Sequence, residues 1–376
     1  MNERAAQTLS RPITVGGLTL PNRIVMPAMA RGFAPDGVPG EDMAAYYARR
    51  AAGGAGLIIT ESTYIGHPSA GQHHLVPRIY GDAPQAGWAQ VTDAVHRAGG
   101  RILVQLQHIG MARNAGDQPH PEAPAIGPSG VPLTRVGAAL FGTETPGETM
   151  TRQDIDAVVA AFAQAAADAE RLGFDGVELH GGHGYLIDQF LWPVTNRRTD
   201  GYGGDARSRA RFAAEIVAAI RERVAPGFPI VVRLSQWKMN DYDARIAETP
   251  EEFGDILGTL ADAGADAFHA STRRYWEPAF AGSDLNLAGW AKKITGKPAI
   301  TVGSVGLDGE FMTSMAGGTA TATGIDRLLD RMEADEFDLV AVGRAQLADP
   351  QWAAKTLSGR AGDITTFTPA ALGTLD

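Results

Sequence analysis

Eight short runs dense in Val, Ile and Leu recur along this chain, and the stretches between them carry helical periodicity. Nothing else in the sequence limits the fold as strongly. The runs span residues 23–28, 57–62, 101–107, 176–180, 230–235, 267–272, 299–304 and 339–344. Most are continuously apolar rather than alternating, which predicts parallel strands buried on both faces. Helix start signals fall between them. Thr151-Arg-Gln-Asp154 has the form of a capping box, and Ile155, Val158, Val159, Phe162, Ala166 and Ala169 then repeat at helical spacing. Thr249-Pro250-Glu251-Glu252 combines an N-cap, a proline at the first helical position and a box glutamate. Asp82-Ala-Pro-Gln85 opens a helix in a similar way. Strands and helices in alternation predict an α/β fold, a (β/α)8 TIM barrel, with an open doubly wound sheet as the rival. The barrel is favoured because polar, reactive side chains stand at the C-terminal ends of most runs, where barrel active sites assemble.

The 376 residues read as one barrel domain, 1–376. Its largest insertion, about 110–146, is rich in Pro and Gly and is expected to cap the strand ends; a tail follows from about 356 to 376. The chain has no cysteine, which removes disulfides, thiolate metal sites, cysteine nucleophiles and iron–sulfur clusters. That fits a reducing, cytoplasmic setting. The formal charge of −10 argues against nucleic acid or an anionic membrane as a partner. No apolar run approaches the ~18 residues of a membrane span, and the first residues lack the basic-then-apolar pattern of a secretory signal.

The segment Gly176-Val-Glu-Leu-His180-Gly-Gly-His183-Gly-Tyr185 runs from a strand into a glycine turn bearing two imidazoles and a phenol. Such a site can grip an electron-rich oxygen and deliver a proton. A His-x-x-His pair also invites a metal reading, but no third ligand is evident and none is expected; satisfied structural histidines are the bland alternative. Gln105, ending the third run, can pair with a heterocycle edge, or sit as a satisfied core amide. Arg233 lies within an apolar strand and needs a partner there: a barrel glutamate, or a cofactor that becomes anionic. Runs seven and eight end in Gly303-Ser304 and Gly343-Arg344. Loops at those two positions of a barrel often hold phosphate, through backbone N–H groups and a charge-assisted arginine contact. The run Ser271-Thr-Arg-Arg-Tyr-Trp-Glu-Pro278 offers Tyr275 and Trp276 for stacking on a flat substrate or nicotinamide; the alternative is packing at the rim or an oligomer contact.

Taken together these residues resemble the old yellow enzyme family of flavin-dependent ene-reductases. The matching signatures are Pro21-Asn-Arg-Ile-Val-Met26, Leu57-Ile-Ile-Thr-Glu-Ser62, Val104-Gln-Leu-Gln-His108, the His180/His183/Tyr185 segment, Asn196-Arg-Arg-Thr-Asp-Gly-Tyr-Gly-Gly204 and Ala341-Val-Gly-Arg344. The resemblance implies bound FMN, reduced by NADH or NADPH and reoxidised by activated alkenes, small molecules whose double bond is conjugated to a carbonyl or nitro group. His180 and His183 would hold the substrate oxygen and Tyr185 would protonate the α-carbon. Gln105 and Arg233 would bind the flavin ring, with Pro27, Ala28, Ala30 and Ser62 lining it. Gly303, Ser304, Gly343 and Arg344 would hold the phosphate. A homodimer or tetramer is implied as well. Two positions depart from the family pattern. Ala30 replaces a threonine or cysteine that contacts flavin O4, which predicts a more negative flavin potential, and Ser208 replaces an asparagine before Arg209. Two further functions stay in view: a related FMN barrel that oxidises amines, and a flavin-free phosphate-binding lyase or isomerase.

Overall fold

The computed structural model describes residues 2–133, 147–309, 311 and 317–376. Its centre is a closed barrel of eight parallel strands: β1 (Ile24–Met26), β2 (Leu57–Tyr64), β3 (Ile102–Gln107), β4 (Gly176–His183), β5 (Ile230–Lys238), β6 (Ala267–Ser271), β7 (Ala299–Val302) and β8 (Leu339–Ala341). Each pairs with its sequence neighbours, and β8 closes on β1 through Val340 opposite Ile24 and Ala341 opposite Val25. All eight expected strands are present, and the open sheet is ruled out by that closure. The physical cause is the continuous apolar run: a strand covered by barrel interior on one side and helix on the other has no polar face.

Between the strands lie helices such as Glu41–Ala52, Asp82–Arg97, Arg152–Arg171, Ala206–Arg221, Pro250–Asp262 and Leu287–Thr295. The capping box at Thr151 forms, with its side chain accepting from the Asp154 N–H and Asp154 accepting in return. Thr249 accepts from the Glu252 N–H. The third start differs: Gly81 occupies the N-cap at φ 87°, and Asp82 is the first helical residue, near the dipole's positive end. No helix among the described residues is long and apolar enough to cross a membrane.

The lower barrel interior is a plug of apolar side chains, with Val25, Leu57, Ile59, Leu103, Val231, Ile300 and Leu339 all buried. An antiparallel hairpin of Ile13–Val15 and Leu18–Leu20 adds Val15 and Leu20 to this floor. At the opposite end two strands are irregular. β2 shifts register between Ile59 and Ser62 against β3, and β4 shifts between Gly181 and His183 against β5. Bulges of this kind re-aim side chains at strand ends, and both precede candidate site residues. The expected cap lies partly outside the described residues, at 134–146. Its described part packs on the neighbouring turn, where Arg113 donates to the Ala123 carbonyl and Met111 to Gln189.

Candidate active site

A cavity of about 390 Å³ opens at the C-terminal ends of the strands. Thirteen of the residues singled out from sequence line it: Pro27, Ala28, Ala30, Ser62, Gln105, His180, His183, Tyr185, Arg233, and the loop residues Gly303, Ser304, Gly343 and Arg344. They come from seven different strand ends, so only closure of the barrel brings them together.

The β4 turn is held under constraint. His183 sits at φ 65°, in the left-handed region, and its N–H donates to Ser235 Oγ at 2.8 Å. A Cβ at Gly182 would stand 2.8 Å from that same Oγ, so β4 and β5 approach closely only because the residue is glycine. Below the turn, Lys238 Nζ donates to Asp188 Oδ1 at 2.7 Å, with both side chains fully buried, and Asp188 also accepts the Gly184 N–H at 2.6 Å. Burial pushes the Asp188 pKa up to about 6, against the pull of Lys238. This ion pair fixes the backbone between the histidines and Tyr185.

The histidines join a chain of hydrogen bonds whose direction can be read. Gln105 Nε2 donates to Glu178 Oε1 at 2.7 Å, so its Oε1 accepts, from Ser62 Oγ at 2.7 Å. Ser62 has then spent its proton and can only accept from His180 Nδ1, at a long 3.4 Å. His180 Nε2 therefore accepts from His183 Nδ1 at 2.8 Å, and His183 Nε2 accepts from Ser271 Oγ at 2.8 Å. Burial holds both imidazoles well below the ordinary range, with the positive charge of Arg233 adding to it, so both rings are neutral at pH 7. Tyr185 stands edge-on to His180 at 4.8 Å between ring centroids, and burial raises its pKa above the usual phenol value. Trp237 packs against His183 at 4.6 Å.

Glu178 anchors the other end. His269 Nδ1 donates to its Oε2 at 2.6 Å, with both groups fully buried. Burial acts to raise the Glu178 pKa, but His269, Arg233 and Gln105 prevail and hold it below the ordinary carboxylate value. The hydrogen bonds of Glu178 thus go to His269 and Gln105, and Arg233 feels its charge without a direct bond. Arg233 donates to the Ala28 carbonyl at 3.3 Å, and its buried Nε has no partner among the described residues. A buried guanidinium with an unused donor at a cavity wall is suited to a flat, electron-rich ring edge.

The loops after β7 and β8 form the second half of a cofactor cradle. Gly303 adopts φ 140°, where a Cβ would stand 2.6 Å from the Thr272 carbonyl oxygen, and Ser304 follows at φ 51°. No described residue accepts from the backbone N–H of Gly303 or Gly343. Arg344 Nη2 lies 2.6 Å from the Gly309 carbonyl and 3.5 Å from Ser304 Oγ. Exposed N–H groups beside an arginine match a phosphate, and the orphaned Arg233 matches the pyrimidine edge of an isoalloxazine. The residues present fit FMN.

Residues 8–363 match the family model described as the NADH:flavin oxidoreductase / NADH oxidase family. The chain belongs to this family. It is an old yellow enzyme-type barrel with FMN as its cofactor. It is 35% identical over 360 residues to an NADH oxidase of Thermoanaerobacter brockii, covering 93% of this chain and 50% of that protein. The chain thus spans about half the length of that relative. A 12-oxophytodienoate reductase 7 of Oryza sativa subsp. japonica is 32% identical over 351 residues, covering 91% of this chain and 86% of that protein. The structure of morphinone reductase in complex with tetrahydroNAD superposes with a TM-score of 0.82 at 29% identity, covering 98% of this chain and 96% of that one.

Within this old yellow enzyme barrel, two expected substrate contacts lie elsewhere. Tyr275 and Trp276 do not line the cavity. The loop turns them away: the Tyr275 carbonyl accepts from Asn286 Nδ2 at 2.7 Å, Tyr275 is 5% exposed, and Trp276 packs edge-on to its ring. The aromatic wall comes instead from Trp237, near the end of β5, and Tyr242 on the loop that follows, with Met239 between them. Sequence reasoning ended β5 at Ser235, three residues short, and so missed them. Glu178 was legible, two residues before His180 and hence on the same strand face. At the departure from the family pattern, the Ser208 N–H donates to the Asp205 cap, and Arg209 still clamps the Leu191, Gly204 and Ile246 carbonyls.

Proposed function

We propose that this chain is an NAD(P)H-dependent ene-reductase acting on small activated alkenes. The observation that carries the reading is one cavity shared by His180, His183 and Tyr185 with Arg233 and the two glycine loops. Bound FMN, reduced by NADH or NADPH, supplies hydride to the β-carbon of an alkene conjugated to a carbonyl or nitro group.

The chain's own residues do the rest. His180 and His183 are neutral, so each carries one N–H that can sit on either ring nitrogen. A substrate oxygen placed between the rings takes an N–H from each, in place of the bond they now share, once the His180 proton moves to Nε2. Two preorganised donors then stabilise the negative charge that develops on that oxygen. Ser62, by turning its hydroxyl proton from Gln105 to His180 Nδ1, and Ser271 then brace the outer nitrogens. Tyr185 keeps its proton at neutral pH, because burial disfavours the phenolate, and so has a proton to give to the α-carbon. Arg233 and Gln105 would hold the flavin ring, Gly303, Ser304, Gly343 and Arg344 its phosphate, and Ala28, Pro27 and Ala30 would line its edge. The size of the cavity supports a small-molecule substrate. The expected dimer or tetramer and the cytoplasmic setting belong to the same reading.

The test is spectroscopic. The purified protein should be yellow, bleach anaerobically on addition of NADH or NADPH, and recover its oxidised spectrum with an enone or nitroalkene. A colourless preparation that binds no FMN would favour a lyase or isomerase. Bleaching by an amine without NAD(P)H would favour amine oxidation.

A further inference from the structure

We propose that Glu178, buried beneath the cofactor cradle, is a positioning residue that sets the flavin's reduction potential: its carboxylate offsets the charge of Arg233 and so keeps the reduced ring a strong hydride donor. The proposal takes FMN from the family, and the effect expected on the alkene step rests on the ene-reductase reading.

The strand registers place the carboxylate. On β4, Glu178 stands opposite Gln105 of β3 and opposite Val231 of β5. Arg233 is two residues beyond Val231, hence on the same face of β5 and one layer nearer the mouth. Gln105 and Arg233 line the cavity, and Glu178 does not. It lies behind that wall with no exposure. Each of its oxygens holds a donor, Gln105 Nε2 on Oε1 at 2.7 Å and His269 Nδ1 on Oε2 at 2.6 Å. Against the effect of burial, His269 and Arg233 keep the group ionised. Burial keeps His269 itself neutral at pH 7, so the hydrogen-bonded pair carries one net negative charge.

That charge acts on Arg233 without a direct bond. Arg233 donates to the Ala28 carbonyl at 3.3 Å, and its Nε has no partner among the described residues. An ion pair between the two would draw the guanidinium down into the barrel. With Gln105 and His269 on the carboxylate instead, the guanidinium stays at the cavity wall, and the ring site faces a cation backed by an anion. The described lining holds no Asp or Glu, so this offset comes from behind the wall. The sign of the effect follows from charge. An oxidised isoalloxazine is neutral, and its two-electron reduced form beside a cation is an anion. A fixed negative charge behind Arg233 disfavours that anion, and in a site closed to water the Coulomb interaction reaches across several atoms. The lower potential makes hydride transfer to an alkene more favourable and reduction by NAD(P)H less so.

The experiment uses FMN-loaded enzyme and reads two equilibria besides turnover. One is the flavin midpoint potential at pH 7. The other is the Kd of sulfite, a nucleophile that adds to the oxidised ring and leaves it negatively charged, read from the loss of flavin absorbance. Glu178→Gln removes the charge with little change of shape: it can still accept from Gln105, and can donate to His269 once that ring moves its proton to Nε2. It should tighten sulfite binding by about ten-fold or more. The potential should rise by the equivalent, about 30 mV or more for a two-electron couple. Glu178→Asp, which keeps the charge, should stay near wild type in both. Should Glu178→Gln fail to fold, Glu178→Leu combined with His269→Leu removes the same charge from an apolar pocket and carries the same expectation. In stopped flow, the charge-removing variants should be reduced by NADH at least as fast as wild type and reoxidised by a cyclic enone more slowly. A potential and a sulfite Kd that stay unchanged, or that move the other way, overturn the proposal. So does a shift in Glu178→Asp as large as that in Glu178→Gln, the mark of a purely structural role. If no enone reoxidises the flavin, the ene-reductase reading fails, and the potential and the sulfite series still decide the part played by Glu178.

Discussion

The floor and the mouth of this barrel are built on the same strands and are equally buried, yet they differ in every other respect. At the floor, Ile59, Leu103, Val231 and Ile300 fill the interior with apolar side chains. One layer up, four adjacent strands of the same barrel, β3 to β6, present Gln105, Glu178, Arg233 and His269, each 7% exposed or less. The floor needs only shape, since dispersion and the removal of apolar surface from water satisfy it. The mouth needs partners, and it leaves Arg233 Nε and His269 Nε2 without any among the described residues. Unpaired buried polar groups oppose folding by about 1–3 kcal/mol each. The lesson is that the mouth is held in a costly arrangement by its surroundings, above all by the Asp188–Lys238 pair and the apolar plug beneath.

Five substitutions probe this contrast, one of them added to another as a rescue, and a sixth tests the flavin's edge. Tyr185→Phe should have the largest effect, slowing reoxidation by an alkene about 10²–10⁴-fold. Flavin reduction by NAD(P)H should be nearly intact, as measured by stopped-flow absorbance of the two half-reactions. An unchanged alkene step would remove Tyr185 as the acid. Lys238→Met strikes the support under the mouth. It leaves Asp188 buried and uncompensated, and should lower unfolding stability by about 3–5 kcal/mol in urea. Adding Asp188→Leu should restore most of that, less the orphaned Gly184 N–H.

Ile59→Ala is the matching change at the floor, expected to cost about 2–5 kcal/mol while leaving the half-reaction rates near wild type. Altered rates with an intact fold would mean that floor and mouth are not separable. Glu61 gives a pH signature. Its carboxylate accepts the Arg31 and Gly32 N–H groups, which hold the loop carrying Ala30, and burial raises its pKa from 4.5 to about 7. A raised carboxyl binds its proton more tightly in the folded state. Its contribution is therefore full below pH 4.5 and lost as pH rises through about 7, by roughly 3 kcal/mol. Glu61→Gln should abolish that slope in a stability profile between pH 4 and 8. The smallest effect is expected for Ala30→Thr. One added hydrogen bond at the flavin edge should shift the flavin potential upward, by the equivalent of about 1 kcal/mol. A downward shift, or none, would contradict the reading of this position.

Much of the mouth was legible because its residues come in local groups. His180, His183 and Tyr185 lie on one turn, and Gly303-Ser304 and Gly343-Arg344 end their strands, so the barrel rule alone sends all of them to one face. Residues whose role depends on a distant partner were not legible in that way. Nothing near Lys238 in sequence announces Asp188, fifty positions earlier, and nothing near His269 announces Glu178. Tyr275 and Trp276 show the opposite error. Aromatic side chains in a polar loop read as ligand contacts, but the structure buries Tyr275 in the core and packs a half-buried Trp276 against it, while Arg273 lines the cavity.

The sequence by itself determined the eight-strand alternation, the helix starts at Thr151 and Thr249, and the family, because periodicity and capping are local and the motifs are contiguous. Only the tertiary structure decided which way the imidazoles point, which carboxylate faces which base, and which arginine of a pair lines the cavity. Those outcomes depend on the directions of side chains on different strands, and that information exists only once closure of the barrel has fixed the register between them.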